Sequence, residues 1–156
     1  MASTVLTPAV LLEHWLGHRR LTRRTIEAFP EEALFEHHIP GMRPFAAMVA
    51  ELNTFLVPTL QGAISGTWAW PDGTRKDATS KEALLAAFDA MTIELERLLP
   101  AVPEQRYLEL DEPVPGRREP VIASLLYFLD NEVHHRAQGF TYLRHLGIEP
   151  PPFFAR

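Results

Sequence analysis

Apolar residues recur along this chain at steps of three and four, the period at which side chains share one face of an α-helix. Leu11, Trp15, His18, Thr22, Ile26 and Phe29 form a first stripe. It opens at Thr7-Pro8, where a capping threonine and a proline at the first helical position both favour a start, and it closes at Pro30. A second stripe, Phe45, Val49, Leu52, Leu56 and Leu60, follows Gly41 to Pro44 and runs to about Ala63, with Pro58 predicting a kink. Leu84, Leu85, Phe88, Met91, Leu95, Leu98 and Leu99 form a third, capped by Ser80 and ended by Pro100 and Pro103. The fourth runs from about Pro120 to His145 and carries Ile122, Leu125, Leu126, Leu129, Val133, Phe140 and Leu143 on a side that reads as core. Gly147 is placed as its C-terminal stop.

The stretches between these helices differ in length. Gly66 to Thr79, with Trp68, Trp70, Pro71, Asp72 and Gly73, has the turn chemistry of a long connection. From Pro100 to Pro120 the prolines at 113 and 115 and Gly116 forbid a helix, and only Tyr107 to Leu110 reads as extended. No alternating run is long enough to predict a strand. The tail, Pro150 to Phe154, should be extended. Four amphipathic helices with unequal loops predict an all-α fold, a four-helix bundle with a long crossover connection. At 156 residues, the chain fits one domain spanning 1–156.

Composition narrows the function. A net charge of -5 opposes the clustered Lys and Arg that neutralise phosphates, so no nucleic-acid partner is expected. The least charged stretch, Phe45 to Thr67, contains Glu51, Asn53, Pro58 and Gln61, so no membrane span is expected. Met-Ala-Ser-Thr at the amino end lacks the basic segment of a secretory signal, which makes the expected location cytoplasmic. With no cysteine, any chemistry falls to His, carboxylate, Tyr or Ser. Neither a Gly-rich phosphate loop nor a G-x-S-x-G elbow is present.

Two features carry candidate chemistry. Glu51 is the one ionisable residue within the second helix, on a side shared with Ala47, Met48 and Phe55, where a carboxylate must be solvated, protonated, paired or metal-bound. On the fourth helix a second stripe, Ser124, Tyr127, Asn131, His135, Gln138 and Tyr142, lies roughly opposite the aliphatic side and is uncharged when His135 is neutral. A helix with two such sides is central or sits at a subunit interface, and its polar groups need partners. Asn131 and His135 stand four apart, the spacing that aims two side chains at one ion, and Glu132 and His135 stand three apart, the Glu-x-x-His spacing of di-iron bundles. The sequence holds no second Glu-x-x-His, so a single metal is the simpler reading. His14 and His18, also four apart but beside Leu11 and Trp15, read as structural, and His37 and His38 fall in a loop.

The run Asp130 to Gln138 (DNEVHHRAQ), followed by Tyr142 to Pro151 (YLRHLGIEPP), resembles the DinB/YfiT-like family of metalloenzymes. The Gly-x-Arg-Pro-Phe segment at Gly41 to Phe45 and the Gly-x-x-x-Gly-x-Trp segment at Gly62 to Trp68 extend the resemblance over most of the chain. It implies a four-helix bundle, commonly dimeric, with a metal held by one histidine of the second helix and a His-x-x-x-His pair of the fourth. Here His135 matches the second histidine of the pair, Asn131 stands where the first is expected, and Glu51 occupies the helix-two position. The expected metal ligands are therefore Glu51, Asn131 and His135. Glu132 is a reserve for the weak neutral ligand Asn131, and His134 lies within the same pattern. The mixed donor set admits zinc, nickel, iron or manganese.

The resemblance implies a divalent-metal-dependent enzyme, a thiol-dependent transferase or a hydrolase acting on a small molecule, with His134 or Tyr127 available for proton transfer. The competing expectation is a non-catalytic, stress-associated helical dimer that has lost the three-histidine site. In it Glu51, Asn131 and His135 would form a buried hydrogen-bond network without a metal. Both readings predict a homodimer.

Overall fold

The computed structural model describes residues 6–72 and 78–156. Gly73 in the long connection and the Met-Ala-Ser-Thr terminus lie outside the described residues. The described residues form five α-helices: α1 (Pro8–Ala28), α2 (Glu31–Glu36), α3 (Phe45–Ser65), α4 (Lys81–Leu98) and α5 (Val121–His145). The long four are those that the apolar stripes predict, and their ends follow from local chemistry. Thr7 accepts from the backbone N–H of Val10, and Ser80 accepts from that of Ala83, each supplying an acceptor to an otherwise orphaned donor. At the end of α5, Gly147 adopts φ 75°, its N–H bonds the Arg144 carbonyl, and the N–H of Ile148 reaches the Leu143 carbonyl at 2.9 Å. That is a Schellman closure, which needs a left-handed residue that glycine adopts without strain. α3 continues through Pro58, and the hydroxyl of Thr59 donates to the Phe55 carbonyl (2.7 Å) one turn below.

The four long helices pack as a square. α3 lies against α4 and α5, and α1 lies against the same two, so each of the pairs α1/α3 and α4/α5 occupies a diagonal. Two connections therefore cross the bundle. The first contains α2, and the second contains two 3-10 turns and a hairpin, β1 (Leu110–Val114) with β2 (Arg117–Pro120). The hairpin corrects the expectation that no strand forms. Pro115 and Gly116, the latter at φ 81°, supply the turn that brings Val114 opposite Arg117.

The aliphatic side of α5 also needs correction. Leu125, Leu129 and Leu143 are buried, but Leu126 and Val133 are 37% and 36% exposed, whereas Ser124, His135 and Tyr142 of the polar stripe point inward. Bare glycine backbone admits close aromatic contacts, between α5 and α3 at Gly139 and between α3 and its following connection at Gly62. A Cβ on Gly139 would stand 2.6 Å from the Phe45 ring, and one on Gly62 would meet Trp68 at 2.2 Å.

The core forms two apolar clusters. Leu11, Trp15, Leu56, Leu60, Leu95 and Leu125 belong to one, and Ile26, Phe29, Phe45, Val49, Phe88 and Leu143 to the other. Between them each long helix contributes polar side chains at the same level: Arg19 and Thr22 from α1, Glu51 from α3, Thr92 from α4, and Asn131, Glu132, His135 and Arg136 from α5. This polar waist holds the candidate chemistry.

Candidate functional site

Helical spacing on α3 and α5 brings Glu51, Asn131 and His135 together. Nε2 of His135 stands 3.2 Å from Glu51 Oε1, and the Asn131 amide lies 3.5 Å from the same oxygen. The other carboxylate oxygen, Oε2, accepts from Arg43 at 2.6 Å. Burial works against ionisation of Glu51, but hydrogen bonds from Arg43 and His135 and the charge of Arg43 outweigh it, holding its pKa below the usual carboxylate value. Glu51 is an anion at neutral pH. On its far side, Nδ1 of His135 donates to Gln138 Oε1 at 2.9 Å, which fixes the ring. Among the described residues no group of three His, Cys, Asp or Glu side chains comes together as a ready-made metal cage. Any third donor beside Glu51 and His135 is the Asn131 amide.

The reserve residues point elsewhere. Glu132 is 2% exposed and faces α1, where Oε1 accepts from Thr22 (2.6 Å), Oε2 accepts from the Trp15 indole (3.2 Å), and Arg19 stands 3.6 Å away. Arg19, equally buried, donates to Thr92 and the Phe88 carbonyl and lies 3.4 Å above the Phe88 ring. Arg136 donates to Thr22 and to His18 Nδ1 on the same side. His134 is exposed. A void of about 10 Å³ beside this network is lined by Trp15, Arg19, Asn131 and Glu132. His14 and His18 stand in contact, Nε2 to Nε2 at 3.3 Å, and His18 is enclosed by Arg136 and Arg156, consistent with a structural role.

Beside Glu51 and Asn131 opens a cleft of about 310 Å³ walled by Phe55, Trp70, Val114, Tyr127 and Phe128, with Arg117 also lining it. Trp70 stacks on Phe128 (centroids 5.7 Å apart, planes 30° apart), and its indole N–H is anchored on the Pro113 carbonyl at 2.7 Å. Trp68 stacks behind Trp70, seated against the bare backbone of Gly62. Three of these participants escaped the sequence reading. Arg43 lies a helix opening away from Glu51, the hairpin that supplies Arg117 has no apolar alternation, and the aromatic wall is assembled from separate segments. The paired tryptophans 68 and 70 in a connection were the available signal.

The sequence model of the DinB family matches residues 1–156. A crystal structure of a DinB-like protein from Bacillus subtilis superposes with a TM-score of 0.77 at 19% identity, covering 94% of this chain and 97% of that one. Another, from Bacillus cereus, gives a TM-score of 0.74 at 16% identity, covering 92% and 95%. At these identities the likeness is one of fold. A search of curated proteins found no match.

Proposed function

Because the chain belongs to the DinB family, we propose that it holds a divalent metal ion between α3 and α5 and acts with it on a small molecule, as a thiol-dependent transferase or a hydrolase. One observation carries this reading. His135 Nε2 and the Asn131 amide converge on Glu51 Oε1, at 3.2 and 3.5 Å, while Gln138 holds the imidazole through Nδ1. A divalent ion would take the place of the proton shared between Nε2 and the carboxylate. The amide of Asn131 turns its oxygen inward by rotation about its last torsion, since its two ends have nearly the same shape.

In this reading Glu51 Oε1, His135 Nε2 and the Asn131 oxygen are the ligands. Arg43 keeps the carboxylate ionised and monodentate, and Gln138 sets the imidazole's orientation, as hydrogen-bonded outer partners do at metal sites. The ion, when bound, would polarise a substrate oxygen or favour the anion of a thiol or water. Of the two candidate proton carriers, Tyr127 lines the cleft beside Asn131 and His134 does not, so Tyr127 takes that role. Exposed Leu126 and Val133 on α5 support the homodimer as part of the proposal.

A specific observation favours the metal-free alternative: the Arg43 guanidinium already compensates Glu51. Metal analysis of protein purified without an affinity tag separates the two. Stoichiometric metal in the wild type, lost in both His135→Ala and Glu51→Gln, is expected. No metal after incubation with zinc, nickel, manganese or iron(II) would overturn the proposal and leave the non-catalytic helical dimer.

A further inference from the structure

The walls of the cleft say more about its occupant than the polar floor does. Phe55, Trp70 and Phe128 form one continuous aromatic surface, with centroids 5.7–6.5 Å apart, and Tyr127 meets Phe128 edge to face at 5.3 Å. Such a surface favours a flat ring, which stacks or meets edges without ordering a flexible chain. A volume of about 310 Å³ fits one or two fused rings.

Charge then selects among flat molecules. Among the described residues, the ionic groups lining the cleft are Glu51 and Arg117. Both are paired, Glu51 with Arg43 and Arg117 with Glu119, so what separates them is spare hydrogen-bonding capacity: Arg43, His135 and Asn131 occupy the oxygens of Glu51, whereas Glu119 takes only Nε of Arg117. Arg117 sits 4.7 Å above the Tyr127 ring, and its Nε donates to Glu119 Oε2 at 3.0 Å. Glu119 is itself tied to Ser124 through Oε1 at 2.7 Å, so Arg117 is held in place at the expense of one of its five N–H donors. A guanidinium held against an aromatic face, with donors left over, is suited to a planar carboxylate.

We propose that the cleft binds a small aromatic carboxylate, its ring against Phe55, Trp70 and Phe128 and its carboxylate on Arg117. This names the substrate class for the proposed metal site, and it rests on that reading in taking Glu51 and Asn131 as the reactive end. Arg117, carried on the hairpin, is then a specificity-determining residue.

Calorimetric titration with 2-naphthoate and its uncharged analogue 2-naphthamide tests the assignment, on both chelator-treated protein and protein incubated with metal. In chelator-treated protein the acid should bind at one site per chain, about ten-fold tighter than the amide, a difference typical of one charge-assisted contact. Arg117→Gln, an exposed position whose loss leaves the core intact, should erase the preference while leaving the amide's affinity unchanged. Phe128→Ala should weaken both. Equal affinity for acid and amide, no saturable binding of either at millimolar concentration, or a preference that survives Arg117→Gln would each overturn the proposal. An Arg117-dependent preference in a protein that retains no metal would leave the cleft assignment standing and remove the metal centre. Stoichiometric metal without naphthoate binding would do the reverse.

Discussion

Glu132 shows how much a single buried carboxylate can organise. It accepts from Trp15 and Thr22 and balances Arg19, all from α1, so its removal strands a cation and two donors in a dry layer. Breaking such a pair from one side costs ~3–5 kcal/mol. Glu132→Ala should lose stability of that order in urea unfolding, and Arg19→Met combined with Glu132→Leu should lose less than the two single changes added together. His18 is a second case. Burial first, and then the charges of Arg136, His14 and Arg156, lower its pKa from 6.5 to about 4. Between those values the unfolded chain takes up a proton that the folded one refuses. Above pH 6.5 this residue leaves stability unchanged; as pH falls from 6.5 to 4 stability declines, and below 4 the loss levels off. The melting temperature of His18→Gln should therefore fall less than that of the wild type over that interval. The sequence exposed Glu51 because no other ionisable group shares its helix. The role of Glu132 was illegible because its indole partner lies 117 positions away.

At the level of elements, periodicity and local punctuation were enough for the four long helices, since each stripe is bounded by residues that act locally: Thr7, Pro44, Ser80, Pro100 and Gly147. The hairpin lacked any such signature. Leu110 and Val114 on β1 are exposed, Pro113 interrupts the run, and what fixes the ribbon is distant, the Trp70 indole on the Pro113 carbonyl. The short α2 was missed for a related reason, since six residues hold too little periodicity to read. Helix approach adds a requirement that propensity does not reveal. Gly139 is less helix-favouring than alanine, yet it faces Phe45 across the α3/α5 contact. Gly139→Ala should destabilise by ~1–3 kcal/mol, as overpacking does, despite its better helix propensity. A shift of the urea midpoint towards higher concentration would contradict the close packing of these helices.

The molecule as a whole is two apolar clusters separated by a polar layer, and binding at that layer should register in global stability. An ion present at 100 times its dissociation constant adds ~2.7 kcal/mol to the folded state, so the melting temperature of the wild type should rise with added metal while that of His135→Ala should not. Association can be followed by sedimentation; a species that stays monomeric at high concentration would contradict the homodimer. α5 ties these scales together. Asn131 and His135 face α3, while their immediate neighbours Glu132 and Arg136 engage α1. A rigid cylinder gripped on both flanks cannot turn to ease one grip without straining the other, so its angular phase is clamped. Selection for altered ligand preference should therefore return substitutions on α1, remote from any bound molecule, alongside those in the cleft walls.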